Sequence, residues 1–220
     1  MPLTIGYWGI KGLGEICRIT AHLAGAEYTE WNPSNPQEWA EKKATLNTPY
    51  PNLPFIDHDG YVLTESVAIC NYIARKFKPE LAGSSHEEEA LIHQAIGVTT
   101  DIRTEVFKAM FKPDYKTALS NAAASGKIPD KIAALSKALG DSHYLVGNHV
   151  TIADAILVYF IHFINIVYSS AELESPFASH ANIVAYETHF WALPELQAHV
   201  TSDAFKRPVM PPTMVPWIKF

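Results

Sequence analysis

Cysteine is nearly missing from this chain. Its 220 residues include two, Cys17 and Cys70, with no CxxC pair and no Cys/His spacing of a metal site. That excludes a disulfide-stapled scaffold and a zinc ribbon. Both cysteines fall inside helix-like apolar patterns, so two buried, reduced thiols are expected. Clustered basic residues are also lacking. With 17 Lys and Arg against 23 Asp and Glu, the formal net charge is −6. No basic run is present to replace phosphate counterions, so no nucleic-acid partner is expected. No long apolar run is free of polar residues: in Ile152 to Val167, Asp154, His162 and Asn165 interrupt it, and no membrane span is expected. The opening Met1-Pro-Leu-Thr-Ile5 lacks a basic region followed by an apolar stretch, which leads to the expectation of a cytoplasmic protein. The ten histidines include no HxxxH pair. His162, on an apolar helix, reads as a core residue, and no metal is assigned. Internal repeats and low-complexity segments are absent from the sequence as well.

What is present falls into two halves. Leu3 to Tyr7 alternates as a strand, and Glu15 to Leu23 follows a helical period that ends at Gly25. Tyr28 to Trp31 is a second short strand. Asn35-Pro36 then offers a helix cap followed by proline at the first helical position, opening a helix to about Lys43. Phe55–Asp57 and Tyr61–Thr64 flank His58-Asp59-Gly60, a strand-turn-strand pattern. Ser66 is expected to cap the next helix, which closes near Phe77. The order is βαβαββα. Beyond a Pro/Gly/Ser-rich linker at 79–87, only helical periodicity appears: 86–111, 115–124, 129–139, 152–168, 179–191 and 194–201. Thr151-Ile-Ala-Asp154 reads as a capping box. The expected architecture is α/β plus all-α, with domains at 1–78 and 88–220.

Three features point to chemistry. The loop Trp8-Gly-Ile-Lys-Gly-Leu-Gly14 spaces its glycines as GxxGxG, which is not a dinucleotide or phosphate-loop fingerprint. Cys17 lies a turn inside the following helix rather than at its start, where amides would favour a thiolate. That leaves a ligand met by Tyr7 and Trp8. In Tyr50-Pro-Asn-Leu-Pro54, a proline precedes a strand expected beside the first one, and a cis Leu53–Pro54 bond would offer the Leu53 backbone to an extended ligand. Glu65-Ser66 at a helix N-terminus makes a carboxylate site. A phenol, a strand edge and a carboxylate site together suit a short peptide with a thiol in its middle, of which glutathione is one.

Residues 1–77 resemble the thioredoxin-like domain of cytosolic glutathione transferases, and the remainder resembles their helical domain. Within that family the mu class is most similar, through Gly6-Tyr-Trp-Gly-Ile-Lys-Gly-Leu13, Pro51-Asn-Leu-Pro54, Thr64-Glu-Ser66 and Ala74-Arg-Lys76. The resemblance implies a transferase that conjugates glutathione, a co-substrate rather than a cofactor, to hydrophobic electrophiles in detoxification. It implies Tyr7 as hydroxyl donor to the glutathione sulfur. Trp8, Trp39 and Lys43 would hold the glycyl end, Asn52, Leu53 and Pro54 the cysteinyl part, and Glu65 and Ser66 the γ-glutamyl group. Asp101 would reach glutathione in the neighbouring subunit of a homodimer, with Tyr50 as the aromatic inserted across the interface. Ile10, Leu13, Phe111 and Met210 would line the hydrophobic pocket.

Three departures from the mu pattern stand out. The loop after the second strand is short, only Asn32-Pro-Ser-Asn-Pro36; Pro36 replaces an arginine; and Phe111 stands where an active-site tyrosine is frequent. Two other functions fit the same residues. One is a sigma-like isomerase that uses glutathione as a true cofactor, and the other is a non-catalytic carrier of hydrophobic ligands.

Overall fold

A computed structural model describes residues 3–219, which divide into two compact units. The first opens with β1 (Leu3–Gly6), α1 (Gly14–Leu23), β2 (Tyr28–Trp31), α2 (Pro36–Thr45), β3 (Phe55–His58), β4 (Tyr61–Thr64) and α3 (Ser66–Phe77). The sheet order is β2-β1-β3-β4, with β2 parallel to β1 and the other two pairings antiparallel. This is the expected βαβαββα order. The Asp59-Gly60 turn has both residues at positive φ, 55° and 84°, the geometry that turns a tight hairpin. Leu3, Ile5, Ile16, Ile19, Phe55, Ile56, Ile69 and Ile73 form the core, where α1 and α3 pack together.

Local chemistry sets the element ends. Asn35 caps α2 by accepting from the Glu38 amide at 3.0 Å, with Pro36 at the first helical position where no N–H is needed. At α3 the expectation is off by one residue: the cap is Glu65, with φ 70° and ψ 113°, and Ser66 is the first helical residue.

Two boundaries differ from the sequence reading. A 3-10 turn, Pro79–Ala82, occupies half of the expected linker and belongs to the first unit. More consequentially, Pro194–Met210 also belongs to the first unit, not to a helical domain running from 88 to the C-terminus. The physical reason is a set of polar ties. Lys11 and Gly12 donate their amides to the Pro208 and Val209 carbonyls at 2.8 and 3.2 Å. His199 bonds Glu15 at 2.7 Å, and Arg207 pairs with Glu30 at 2.6 Å. Within this segment only 197–200 is α-helical (α9, Gln197–Val200).

The second unit contains α4 (His86–Met110), α5 (Tyr115–Ala124), α6 (Lys127–Leu139), α7 (Ile152–Ser170) and α8 (Ala181–Trp191), and the chain returns to it from Pro211 onward. Helix α6 begins two residues before the expected start, with Pro129 tolerated in its first turn. Helix α7 has 19 residues and a mean hydropathy of 1.7, enough by length and composition to cross a membrane. It is longer than the sequence reading allowed. It packs against α4 and α8, however, and 15 of its residues are buried, which is the pattern of a core helix. Near the C-terminus, Trp217 stacks on Tyr115 with ring centroids 4.0 Å apart.

Asp154 anchors the N-terminus of α7. Its carboxylate accepts from the Thr151 amide at 2.7 Å, the expected reach-back of a capping box. It also accepts from the Thr151 hydroxyl at 2.9 Å, the Leu145 amide at 2.8 Å and the Tyr186 hydroxyl at 2.7 Å. One carboxylate thus ties α7, α8 and the preceding loop together.

Candidate active site

In the first unit, the segment after β1 carries Tyr7, Trp8, Ile10 and Leu13. The Tyr7 amide donates to the Trp31 carbonyl at 3.0 Å, extending the β1–β2 pairing by one residue. Its carbonyl accepts from Asn32 Nδ2 at 2.9 Å. The chain then turns at Gly12, φ 42°, and the Leu13 amide donates to the Tyr7 hydroxyl oxygen at 3.1 Å. Two glycines make this arrangement sterically possible. A Cβ at Gly12 would lie 2.6 Å from the Tyr7 hydroxyl oxygen, and one at Gly14 would lie 2.6 Å from the ring carbons. The glycines therefore make a slot for a phenol rather than a cradle for phosphate. An accepted hydrogen bond polarises the hydroxyl and strengthens it as a donor.

The other residues of this unit come from neighbouring strands and helix ends. The Leu53–Pro54 bond is cis, as suspected from the sequence, and leads into β3 beside β1. Asn52 donates to Glu65 through a long bond of 3.4 Å, and the Thr64 hydroxyl donates to the Tyr50 carbonyl at 2.8 Å. The segment 50–54 is thereby fixed to the β4–α3 junction. Cys17 Sγ is 3.8 Å from both the Leu13 and Ser66 carbonyl oxygens, so the end of the Tyr7 loop and the start of α3 are neighbours. Cys17 is fully buried, and burial pushes its thiol well above the ordinary range, which suits packing rather than reaction.

Helix α2 carries Trp39, half-buried and 6.4 Å from Trp31 between ring centroids, with Lys43 exposed one turn later. Met210 is buried in this first unit, next to Val209, whose carbonyl holds the Gly12 amide. Its expected assignment to the helical domain is therefore corrected. Tyr50 is 74% exposed.

Two expected site residues lie in the second unit. Asp101, on α4, is exposed and pairs with Lys131 at 2.7 Å; that hydrogen bond and charge hold its carboxyl below the usual range. Phe111 ends α4, half-exposed, with its ring 6.2 Å from Phe107.

A buried charge cluster beneath the Tyr7 loop went unread in the sequence. Arg18 and Glu15 have no exposed side-chain surface and pair at 3.0 Å. Arg18 also reaches Glu30 at 3.0 Å and the Ile10 carbonyl at 3.2 Å. Burial alone would raise the Glu15 carboxyl, but the His199 hydrogen bond and the Arg18 charge outweigh it and hold it below its usual range. Glu30 is lowered in the same way, by Arg207 and Arg18 against burial. The available signal was a charged i, i+3 pair on the apolar face of α1.

Residues 3–75 match the family described as "Glutathione S-transferase, N-terminal domain", and residues 100–203 match "Glutathione S-transferase, C-terminal domain". The class-mu 26 kDa glutathione S-transferase isozyme 7 of Fasciola hepatica is 33% identical over 156 residues, 70% of each chain. The chain belongs to the glutathione transferase family. It is mu-like: glutathione S-transferase Mu 1 of Oryctolagus cuniculus is 29% identical over 214 residues, 94% of each chain. The crystal structure of the glutathione S-transferase from Ascaris lumbricoides superposes on this transferase with a TM-score of 0.78 at 28% identity, covering 94% of this chain and 98% of that one. That of the transferase Blo t 8 reaches 0.84 at 21% identity over 95% and 97%, a likeness of fold.

Proposed function

We propose that this glutathione transferase uses Tyr7 to stabilise the thiolate of bound glutathione, which then attacks the electrophilic carbon of a hydrophobic substrate. One observation carries the reading: the Tyr7 hydroxyl is held by the Leu13 amide at 3.1 Å in a slot that only glycine at 12 and 14 leaves open. A free thiol has a pKa of about 8.5, and lowering it to about 6.5 requires about 2.7 kcal/mol. A hydrogen bond to a charged acceptor contributes about 1.5–3 kcal/mol, so one well-aimed phenol nearly suffices.

Glutathione is a co-substrate in this reading. Trp8, Trp39 and Lys43 take its glycyl end, and Asn52, Leu53 and Pro54 its cysteinyl part. The γ-glutamyl carboxylate goes to Ser66 and the first amides of α3, with Glu65 taking the amine. Glu65 supports this because a non-glycine residue at φ 70° and ψ 113° is costly and concentrates at ligand sites. Ile10, Leu13 and Met210 supply apolar surface for the electrophile.

The reading includes a homodimer acting in the cytoplasm, with exposed Tyr50 inserted into the partner subunit. Asp101 reaches the neighbouring glutathione only by sharing or leaving Lys131. The test is conjugation of glutathione to an aryl halide. Tyr7→Phe is expected to lower kcat about 100-fold, the equivalent of about 2.7 kcal/mol, with glutathione affinity retained. Ser66→Ala is expected to weaken glutathione binding about tenfold. Full turnover in Tyr7→Phe would overturn the donor role. Tight glutathione binding without conjugation by the wild type would point instead to an isomerase or a carrier.

A further inference from the structure

The Tyr7 loop does not hold itself in shape. Its internal backbone bonds are few: Ile10 N–H to Trp8 O at 2.7 Å, and Glu15 N–H to Lys11 O at 3.0 Å and, longer, to Gly12 O at 3.4 Å. The Leu13 amide turns inward to the Tyr7 hydroxyl, and other polar groups of the loop are met from outside. On the amide side stand the carbonyls of Pro208 and Val209, bonded to Lys11 and Gly12. On the carbonyl side stands Arg18, whose Nη1 donates to Ile10 O at 3.2 Å and, at 3.5 Å, to Lys11 O. A loop bonded in this way takes its position from its two supports.

Those supports converge on one atom. Glu30 Oε2 accepts from Arg18 Nε at 3.0 Å, from Arg207 Nη1 at 2.6 Å and from Asn32 Nδ2 at 3.3 Å. Asn32 donates in turn to the Tyr7 carbonyl. Arg207 immediately precedes Pro208, so its bond to Glu30 sets the register in which the 208–209 carbonyls meet the loop. Two further contacts brace the same segment: Lys11 Nζ lies 4.2 Å over the Phe205 ring, and His199 bonds Glu15.

From these contacts we infer that the returning segment Pro194–Met210 is a strut that sets the place of the Tyr7 hydroxyl, and that Arg207 is a positioning residue for thiol activation. It acts through Glu30, Asn32 and the 208–209 carbonyls. This rests on the Tyr7 reading above. The consequence is specific: loosening Arg207 moves a donor that must aim at sulfur, while the residues outside the loop that grip glutathione, at 39–43, 52–54 and 65–66, stay in place. Ångström-scale misplacement of a reacting group costs up to about 100-fold in rate.

Arg207 is partly exposed, with 25% of its side-chain surface accessible, so its replacement strands less buried charge than replacement of Arg18. The experiment compares wild type, Arg207→Gln, Arg207→Lys and Tyr7→Phe as full chains. It reads kcat and KM for glutathione with an aryl halide, and the ultraviolet absorbance of enzyme-bound thiolate. Arg207→Gln is expected to lower kcat about tenfold and reduce the thiolate signal, with KM for glutathione within about twofold, and Arg207→Lys to recover most of both. If Arg207→Gln loses its folded circular dichroism, Phe205→Ala carries the test, since it removes the ring under Lys11 and leaves every charge in place. A variant less heat-stable than wild type but with unchanged kcat and thiolate signal, beside a Tyr7→Phe that collapses, would overturn the strut and leave the Tyr7 reading standing. A Tyr7→Phe with unchanged rate would overturn both.

Discussion

Each unit of the chain buries ionisable groups, and the two units do it by opposite means. In the first, Glu15, Arg18, Glu30 and Arg207 form a lattice of opposite charges, with His199 bonded to Glu15. The carboxyls there are held below their usual range, because charged partners outweigh burial. In the second, Asp154 is surrounded by neutral donors, two amides and two hydroxyls, and burial keeps its carboxyl above the usual range despite all four. A lattice of charges is directional and can fix a loop in place. A carboxylate among neutral donors fastens the start of a core helix. The first arrangement lies beneath the proposed catalytic loop, and the second lies within the helical core.

The comparison breaks most visibly at Asp154. Asp154→Ala strands several buried donors, each costing about 1–3 kcal/mol, so a loss of about 4–5 kcal/mol is expected in denaturant unfolding. Arg18→Leu is expected to cost less, about 3 kcal/mol, the lower end for breaking a buried pair. The reason is redundancy, since Glu15 keeps His199 and Glu30 keeps Arg207. If Arg18→Leu proved the more damaging of the two, the charges would not be sharing partners as described. Gly14→Ala probes the loop itself. It places a methyl 2.6 Å from the Tyr7 ring. Conjugation is expected to fall about tenfold, equivalent to about 1.4 kcal/mol, although alanine is the better helix former.

The smallest effect is a difference in acid response. Glu15 and Glu30 have depressed folded-state values, so their stabilisation is present above the ordinary carboxylate range, near pH 4, and is lost as pH falls through the folded values. His22 acts in the same sense. Burial, helped by His199, lowers it to about 4, so its contribution is lost as pH falls from about 6.5 toward that value. Asp154, being raised, contributes below the ordinary value and loses that contribution as pH rises through its folded value. Hydrogen exchange at pH 7 and at about pH 3, corrected for intrinsic rates, should therefore show α1 and β2 losing protection before the start of α7. Equal loss in both places would contradict the contrast.

Much of the first unit was legible in the sequence because its signals are local. Asn35-Pro36, Asp59-Gly60 and the period of 66–77 each specify their own geometry, and the order βαβαββα follows from reading them in turn. The proline before β3 raised the suspicion of a cis bond without specifying it, and the bond is cis. What escaped was long-range. Nothing near 194–210 says that its partners are Glu15, Glu30 and the loop at 10–12, since those bonds span up to 184 residues. Arg18 reads as an ordinary charged helix residue until Glu30 and Arg207 surround it. Ser66 missed the cap by one position because serine is the commoner cap and only the backbone reveals Glu65 at positive φ. Of the site, Tyr7, Asn52, Leu53, Pro54, Glu65 and Ser66 fall on adjoining elements of one unit, whereas Asp101 and Phe111 lie in the other. Met210 moved between units along with the segment that carries it.

The central claim is that Tyr7 holds the sulfur of glutathione as a thiolate. The most direct test is an ultraviolet pH titration of enzyme-bound glutathione in wild type and Tyr7→Phe. The account predicts a midpoint of about 6.5 for wild type and a return toward about 8.5, the value of a free thiol, in the variant. The same depressed midpoint in both proteins would contradict it and assign thiol activation to some other group.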